Sequence, residues 1–294
     1  AGEKLEVKTL AGNGTKGFKD GEADQASFNA PKGIAVDSND TLYVVDSGNH
    51  AIRKITSSGV VSTFVGDGTS GYSDNTGTLA QFSSPTAIAI DSNHYLYVTD
   101  TGNKRVRKIS PAGEVTTLGS SLQFSDPQGI AVDSQGGVYV VDAGLFSIFV
   151  ITPNSEISNP NNLLIGDPVF HTSGSKNGNG LGREPKMESY TARLAKPYGL
   201  VVLESSFETT RMMLTDLDSS NQRFRDIVVT RSKDDQGIYA SISHWWTAIE
   251  GNRDGDFGLN PVLVQPALRY PYFLTSTGSA DKDIYFSDSG NHCI

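Results

Sequence analysis

The chain has 294 residues, of which 37% are hydrophobic and 9% aromatic, and a formal net charge of −9. This composition is sufficient for a sizeable hydrophobic core. No apolar run reaches the roughly 20 residues that cross a bilayer, so the sequence predicts no membrane span. An acidic chain without a block of Lys and Arg lacks the basic face that binds phosphate backbones, which argues against nucleic acid as a partner.

The N-terminal residues predict one isolated strand. The chain starts at Ala1 without Met, as expected of a mature or partial chain. Residues 5–10 (LEVKTL) have strand character but no strand precedes them, and they resemble residues 60–65 and 115–118 further along the chain. We expect this strand to complete a sheet whose other strands come from elsewhere in the sequence.

A polar segment rich in Gly leads to the first hydrophobic strands. We name it lead-in 1 (residues 11–30), and a second copy, lead-in 2 (residues 66–84), shares its Gly, Asp and Phe positions. Gly and Asn in such segments favour turns with positive φ. Each repeat is expected to start after an apolar residue that packs between neighbouring repeats, and these residues are Phe28, Phe82, Phe124 and Leu194.

Three stretches of one pattern dominate the first half of the chain. Residues 31–55 read PKGIAVDSNDTLYVVDSGNHAIRKI, residues 85–109 PTAIAIDSNHYLYVTDTGNKRVRKI and residues 127–151 PQGIAVDSQGGVYVVDAGLFSIFVI. Each stretch contains short strands separated by Asp, Ser, Gly and Asn. A period of a few tens of residues with several strands in each period indicates a propeller or a solenoid. Such repeats share a continuous core, so a single domain over residues 1–294 is predicted.

The second half of the chain predicts a degenerate repeat and an incomplete one. The fourth repeat has its closing strand at residues 237–243, and an insertion, residues 244–270, follows it. Residues 271–294 supply two strands and the start of a third. With residues 5–10 they would complete a blade and close a ring, which removes exposed sheet edges. The predicted blades span about residues 31–66, 85–119, 127–165, 197–243, and 271–294 plus 5–10.

These repeats resemble the NHL family of β-propellers. The resemblance rests on Pro-x-Gly-Ile-Ala-Val-Asp, Leu-Tyr-Val-x-Asp-x-Gly-Asn and Ile/Val-Arg-Lys-Ile at residues 31–55 and 85–109, with weaker copies in the later repeats. It implies an all-β propeller of four-stranded blades, and we count five of them, or six if the chain continues past Ile294. It says little about function, because propellers of this family host ligand binding, RNA binding and some enzymes.

Recurring aspartates are the most conspicuous polar group. One interpretation is a ring of carboxylates around a channel, and the other is that each Asp caps a tight turn through hydrogen bonds to the backbone. Repetition in every blade favours the structural interpretation, since a site requires convergence at one place. These residues are Asp37, Asp91 and Asp133 after the first strand, and Asp46, Asp100, Asp142, Asp216 and Asp288 after the second.

The sequence offers little support for metal binding or catalysis. Asp254 and Asp256 are weak candidates for calcium, but no twelve-residue calcium loop surrounds them. The histidines show no metal-ligand spacing, and no G-x-S-x-G nucleophile motif is present. We therefore predict no catalytic residue and no cofactor beyond this calcium candidate. A metal-dependent hydrolase or lyase with a site in the central channel is the alternative function.

Basic pairs on the third strands offer a second alternative, an RNA-binding propeller. Arg53 and Lys54 form the first pair, and Arg105, Arg107 and Lys108 lie at the corresponding positions of the next repeat. RNA-binding propellers of this family use a basic face, but the net charge of −9 makes these residues more consistent with solvated charges on outer strands.

Aromatic residues in the insertion and directly after it are the candidates for contacts with a ligand or partner. An exposed group of this kind stacks on a sugar ring or anchors a protein partner, although burial between blades is an equal alternative. The candidates are Trp245, Trp246, Tyr270 and Tyr272.

Two sequons favour an extracellular location. Asn13-Gly-Thr15 and Asn39-Asp-Thr41 fall on predicted surface turns, so Asn13 and Asn39 are candidate glycan acceptors in a secreted eukaryotic protein. We therefore expect a non-catalytic, secreted structural scaffold that presents loops to a protein partner, to further copies of itself or to a glycan. The loops expected to make these contacts are residues 66–84, 166–196 and 244–270.

Overall fold

Short antiparallel strands make up most of the described chain. The computed structural model describes residues 8–120, 122–152, 163–165, 179–180, 194, 197–218, 221–231, 238–247, 271–276 and 284–288. Side chains are described in residues 8–120, 122–152, 194, 197–215 and 227–230. The only helices in these ranges are single 3-10 turns, so the all-β prediction is confirmed, and no described helix is long and apolar enough to span a bilayer. The 3-10 turns span Ser47–Asn49, Gly77–Leu79 and Thr101–Asn103.

The first repeat forms a sheet with one strand more than predicted. Its strands are ordered β1-β5-β4-β3-β2, so a strand from lead-in 1 pairs with the closing strand of the repeat. Lead-in 1 therefore pairs with the outer strand of this sheet and covers its edge. The strands are β1 (Gly21–Glu22), β2 (Pro31–Val36), β3 (Leu42–Asp46), β4 (Ala51–Ile55) and β5 (Val60–Val65).

The second and third repeats form sheets of four strands in simple meander order. The second sheet contains β6 (Ile88–Ile90), β7 (Leu96–Asp100), β8 (Arg105–Ile109) and β9 (Val115–Leu118). The third contains β10 (Pro127–Val132), β11 (Val138–Asp142), β12 (Ser147–Ile151) and β13 (Leu163–Ile165). β-branched and aromatic residues fill these strands, and an Asp follows or ends the first two strands of each repeat, as the sequence predicts.

The fourth sheet has longer strands than the sequence pattern suggests. Its order is β14-β18-β17-β16-β15, and β18 runs beyond the predicted end of the closing strand. Two strands of the last repeat form a fifth, two-stranded sheet. The strands are β14 (Asn179–Gly180), β15 (Pro197–Ser205), β16 (Thr209–Asp218), β17 (Asn221–Arg231), β18 (Ile238–Thr247), β19 (Pro271–Ser276) and β20 (Ile284–Asp288).

Apolar side chains between successive sheets form the core. Phe82 packs in a cluster that joins the first and second sheets, Phe124 joins the second and third, and Leu194 joins the third and fourth. Phe28 packs on the face of the first sheet that is turned away from the second. The predicted packing between neighbouring repeats is confirmed for Phe82, Phe124 and Leu194. Because both faces of the first three sheets are covered, all five residues of β3, of β7 and of β11 are buried.

The first strands of the repeats, β2, β6, β10, β15 and β19, lie against one another. Each contacts the next in chain order, and β19 also contacts β2. Glycines permit the close approach. The Gly33 N–H donates to the Thr86 carbonyl oxygen (2.9 Å), and a Cβ on Gly33 would lie 2.8 Å from Ala87 Cα. A Cβ on Gly129 would overlap the Tyr198 carbonyl oxygen in the same way.

The predicted N-terminal strand over residues 5–10 lies half outside the described ranges, at residues 5–7. Residues 8–10 are described and are not in a strand. Pairing of this segment with the last repeat therefore stays a prediction.

Candidate functional site

A buried arginine holds lead-in 1 against the first sheet. Arg53 lies on β4 and is fully buried. Its Nη1 donates to Asp46 Oδ2 (2.8 Å) and to the Ser27 carbonyl oxygen (3.0 Å). Its Nη2 donates to Asp20 Oδ1 (2.6 Å) and to the Lys19 carbonyl oxygen (2.8 Å). One guanidinium thus connects the sheet to the middle of the lead-in and to its C-terminal part. Such charge-assisted bonds are about twice as strong as neutral ones. We name this arrangement an arginine clamp.

Two aromatic rings enclose the Arg53 guanidinium. Its Cζ lies 4.9 Å from the centre of the Phe18 ring and 5.1 Å from that of Phe28. Both distances suit cation–π attraction, which is strongest where water is excluded. Phe28 is buried, whereas Phe18 is 43% exposed. Phe18 therefore covers the clamp with part of its surface and presents the rest to solvent.

The second repeat contains the same clamp. Arg107 is fully buried on β8 and donates to Asp100 Oδ2 (2.8 Å) and to Asp74 Oδ1 (2.5 Å) of lead-in 2. Its Cζ lies 4.9 Å from the Tyr72 ring centre and 5.0 Å from that of Phe82. Tyr72 is 54% exposed and corresponds to Phe18. Two successive repeats therefore each fix one exposed aromatic ring on a buried cation.

The arginine clamps contradict one expectation from the sequence. Arg53 and Arg107 are not solvated charges on outer strands, because β4 and β8 are covered on both faces. Lys54, Arg105 and Lys108 are partly exposed, as expected. The Nε atoms of both arginines are buried without a hydrogen-bond acceptor among the described residues, a cost that the remaining bonds of each guanidinium offset.

The third repeat lacks both parts of the clamp. Phe149 occupies the position of Arg53 in β12 and packs edge-on against Phe124, with ring centres 5.5 Å apart. The segment before this repeat is short and contains no residue that corresponds to Asp20 or Asp74. Asp142 instead accepts backbone N–H groups of Ser125 and Asp126 at 2.7 and 2.9 Å. The arginine and the long lead-in therefore occur together and are lost together.

The recurring aspartates divide into two groups where their side chains are described. Asp46 and Asp100 accept hydrogen bonds from the clamp arginines and cap no turn, which corrects the prediction for these two. The others cap turns, and Asp142 does so through the N–H groups of Gly144 and Leu145. Asp37 Oδ1 accepts the N–H groups of Asn39 (2.8 Å) and Thr41 (2.9 Å), and Asp91 and Asp133 make the same pair of bonds two and four residues on. Burial raises the pKa of Asp46 and Asp100, and hydrogen bonds to the carboxylates oppose that rise. These described carboxylates are engaged in the fold, in line with the structural interpretation. The side chains of Asp216 and Asp288 lie outside the described part.

The remaining sequence candidates are only partly described. The backbone places Trp245 and Trp246 within β18, paired with Arg225 and Phe224, and not in the insertion as the sequence pattern suggested. Tyr272 lies in β19, and Asn13 and Asn39 are exposed. Among the residues whose side chains are described, no group of three or more metal-ligand side chains occurs. Tyr270, Asp254 and Asp256 lie outside the described residues, so calcium binding stays a prediction.

Family models match the first half of the chain. A model of the teneurin NHL domain matches residues 8–76, and a model of the NHL repeat matches residues 82–109 and 124–151. The protein SUPPRESSOR OF QUENCHING 1, chloroplastic, of Arabidopsis thaliana is 30% identical over 116 residues, which are 37% of this chain and 11% of that protein. NHL repeat-containing protein 2 of Gallus gallus is 35% identical over 88 residues, 30% of this chain and 12% of that protein. The matched segments therefore span about a tenth of these relatives.

Solved structures resemble the fold at low identity. An auxiliary nutrient binding protein from Bacteroides ovatus aligns with a TM-score of 0.49 and 17% identity, over 97% of this chain and 74% of that chain. Virginiamycin B lyase from Staphylococcus aureus aligns with a TM-score of 0.43 and 15% identity, over 90% of this chain and 64% of that chain.

Proposed function

The chain is a member of the NHL-repeat family of β-propellers, whose repeats it carries between residues 8 and 151. On this basis we propose that the chain is a non-catalytic binding scaffold. The observation that carries the proposal is the repeated exposure of one aromatic ring on each lead-in, Phe18 and Tyr72. Aromatic side chains with one open face are frequent anchors of protein interfaces and stack on sugar rings.

Rigid presentation is the mechanism of this scaffold. The clamp of Arg53 and that of Arg107 fix each lead-in at a carboxylate and at backbone carbonyl groups, so little conformational freedom is lost when a partner binds. Tyr72 is held further by a hydrogen bond of 2.8 Å between its hydroxyl and that of Thr117. The partner we favour is another protein, because aromatic rings on adjacent blades offer a broad surface instead of a pocket. The net charge of −9 disfavours association of identical copies.

The test compares three forms of the immobilised chain. The first is the wild type, the second the double variant Phe18→Ser/Tyr72→Ser, and the third Phe207→Ser, which removes a 70% exposed ring at the β15–β16 turn. Proteins captured from extracellular medium are quantified by mass spectrometry, and a glycan array is probed in parallel. Capture by the wild type and by Phe207→Ser, but not by the double variant, supports the proposal. Equal capture by all three forms contradicts it, and binding confined to the glycan array assigns the rings to sugars instead of proteins.

We propose further that the scaffold is a ring of five blades, closed by pairing of residues 5–7, the part of the predicted N-terminal strand outside the described ranges, with the last repeat. The contact of β19 with β2 supports this arrangement, as does the succession of contacts among the other first strands. Removal of residues 1–10 should then lower the melting temperature of the whole ring. An unchanged melting temperature would contradict closure by this segment.

We also propose that the protein is extracellular. The Asn13 side chain accepts hydrogen bonds from the Thr15 N–H (2.9 Å) and hydroxyl (2.6 Å), and both sequon asparagines are exposed. Secreted material from eukaryotic cells should lose mass on glycosidase treatment. The variant Asn13→Gln should lack one glycan, and a mass unaffected by glycosidase would count against glycosylation.

A further inference from the structure

A histidine of the first repeat accepts a hydrogen bond from the second. The backbone N–H of Ser84, the last residue of lead-in 2, donates to His50 Nδ1 at 3.0 Å. His50 lies in the turn between β3 and β4, so this bond crosses from the first sheet to the residue just before the second. A ring nitrogen accepts a hydrogen bond only when it carries no proton. In this arrangement the imidazole is therefore neutral, with its proton on Nε2.

The third repeat satisfies the equivalent N–H group within its own sheet. This group belongs to Asp126, and it donates to Asp142 Oδ1 at 2.9 Å. The position of His50 is taken by Lys104 in the second repeat and by Phe146 in the third, and neither side chain offers an acceptor. All three residues have a positive φ, of 52°, 54° and 51°, so the turn itself does not require histidine. The bond to His50 is therefore particular to the contact between the first two sheets.

A second histidine lies at the opposite end of the same contact. His94 belongs to the turn before β7, and its Nδ1 lies 3.8 Å from Asp37 Oδ2 on the β2–β3 turn. Asp37 follows the end of β2, whereas His50 lies near the start of β2, because β2 and β3 are antiparallel. A charged imidazole at His94 would form an ion pair with Asp37. The two histidines therefore respond to acid in opposite ways.

The carboxylates beside these histidines are mostly engaged elsewhere. The elements around His50 carry Lys32, Asp46, Arg53, Lys54, Asp67, Asp74 and Asp100. The elements around His94 carry Asp37, Asp40, Asp91 and Lys108. Asp46, Asp74 and Asp100 are paired with the clamp arginines, and Asp67 accepts hydrogen bonds from Thr69 and Gln81. In the described part of the chain, His94 forms an ion pair and His50 forms none.

We propose that His50 is a pH-sensitive latch between the first two sheets, which holds Ser84 when it is neutral and releases it when it is protonated. Histidine is the side chain that changes its charge between about pH 5 and 8. Protonation of Nδ1 places one N–H group against another, so attraction becomes repulsion. Protonation of His94 strengthens the opposite end through Asp37. Acid therefore loosens one end of the contact and tightens the other, and the second sheet pivots on the first instead of separating from it.

The latch controls the spacing of the two exposed rings, and this consequence rests on the proposed scaffold function. Phe18 is held on the first sheet by Arg53, and Tyr72 is held on the second by Arg107. The contact between the sheets therefore sets the distance between the rings. Phe18 also lies against Gly68 of lead-in 2, where a Cβ would be 2.8 Å from a ring carbon. A pivot changes this spacing, so a partner that engages both rings should bind more weakly in acid.

The test observes the hydrogen bond in the wild-type chain without any partner. In a chain labelled with ¹⁵N, NMR detects a coupling across an N–H···N hydrogen bond. We expect this coupling between Ser84 N and His50 Nδ1 at about pH 7.5 and its loss at about pH 5. The buried Gly33 N–H bridges the same two sheets by donating to the Thr86 carbonyl oxygen (2.9 Å). Its protection from hydrogen exchange should fall about threefold to tenfold over this range, the factor that one hydrogen bond contributes.

His50→Asn is the matched control. Asn Oδ1 takes the place of Nδ1 as an acceptor, asparagine tolerates the left-handed backbone, and its amide does not titrate. Protection of Gly33 in this variant should be equal at both pH values. His94→Asn removes the opposing ion pair and should retain the loss of protection seen in the wild type.

Each contrary outcome overturns the latch. An absent coupling at about pH 7.5, or a proton on Nδ1, would show that the bond to Ser84 does not form. Constant protection of Gly33 in the wild type, or an equal fall in His50→Asn, would show that His50 does not control the contact. Since no partner takes part, these results are independent of the scaffold function. A confirmed latch together with protein capture that does not change with pH would reject only its effect on the rings.

Discussion

Asp20 and Arg53 are 33 residues apart in sequence and are joined by a hydrogen bond of 2.6 Å. Asp20 is half exposed, and Arg53 is fully buried. The bond therefore runs from the surface of lead-in 1 into the interior of the first sheet. The same carboxylate also accepts the Thr63 N–H (3.0 Å) on the closing strand β5. Lead-in 1 is thus a structural part of this blade, and its stability and that of the sheet are coupled.

Replacement of Arg53 by Leu should destabilise the chain by about 3–5 kcal/mol, because it leaves the buried Asp46 carboxylate without its counter-charge. Arg53→Lys should lower the free energy of unfolding by less than Arg53→Leu does. It should still be destabilising, because an ammonium cannot bridge both carboxylates as a planar guanidinium does. The measurement is the free energy of unfolding in denaturant. Lys54→Leu, on the same strand but partly exposed, is the control and should change it by about 0.5 kcal/mol or less. A loss for Arg53→Leu no larger than for this control would contradict the role of the clamp.

An arginine placed in the third blade should not form a clamp. Phe149→Arg removes the edge-on contact with Phe124 and introduces a guanidinium for which no lead-in carboxylate is available. We expect a loss of about 2–4 kcal/mol, below the cost of a fully buried charge because the partly exposed site admits some water. Phe149→Leu, the matched control, should cost about 1 kcal/mol. If the two variants unfold at the same denaturant concentration, the lead-in is not needed to accommodate the charge.

Tyr97→Phe should remove a hydrogen bond that Asp91 Oδ2 accepts from the Tyr97 hydroxyl at 2.9 Å. We expect a loss of about 1–2 kcal/mol, the usual range for a bond to a charged acceptor. Burial raises the pKa of Tyr97, and the Asp91 carboxylate adds to the rise. The wild-type advantage should therefore be complete below pH 10.0, the ordinary pKa of Tyr, and shrink as the pH rises above it. Tyr95→Phe, at an adjacent partly buried position, is the control, and an equal loss in both variants would contradict the assignment.

Lys32→Gln should stabilise the chain at neutral pH by up to about 1 kcal/mol, because it removes a partly buried charge. Burial lowers the pKa of Lys32 in the folded state, so the unfolded state binds more protons between the folded value and 10.5. The stability of the wild type should therefore rise with pH in this window and approach that of the variant at 10.5. Denaturant titrations at several pH values measure this difference. A constant difference across the window would show that the charge of Lys32 is not its cause.

The sequence predicted the strand pattern well, because the repeats align residue by residue. Leu-Tyr-Val-x-Asp at residues 42–46 and 96–100 forms β3 and β7 as expected. The prediction that Arg53 is exposed to solvent was wrong. It assumed that residues alternate along the strand between a buried and a solvated face of the sheet. In stacked sheets both faces are covered, so an Arg on a middle strand has to be buried with partners. The sequence does contain a signal for the partner of Arg53, which is Asp20. Both residues have counterparts in the second repeat, and neither has one in the third.

The close approach of Gly33 on β2 to Thr86 of the second repeat was not predictable from the sequence. It depends on how closely neighbouring blades pack. A repeat pattern defines the position of a residue within its blade but not its distance from a residue in another. The extent of β18 was missed for a related reason, because the fourth repeat departs from the residue types that mark strand ends in the first three.

The arginine clamp also defines the boundaries of one structural repeat. Asp74 and Arg107 tie lead-in 2 to the sheet that follows it in sequence, just as lead-in 1 is tied to its own sheet. Gene duplication that copied residues 31–65 alone would have produced an arginine without the lead-in carboxylate, Asp20, whereas a copy that starts at residue 11 carries both. Anyone who lengthens, shortens or recombines such a protein should therefore cut before the lead-in, near residue 66, and transfer the lead-in with its blade.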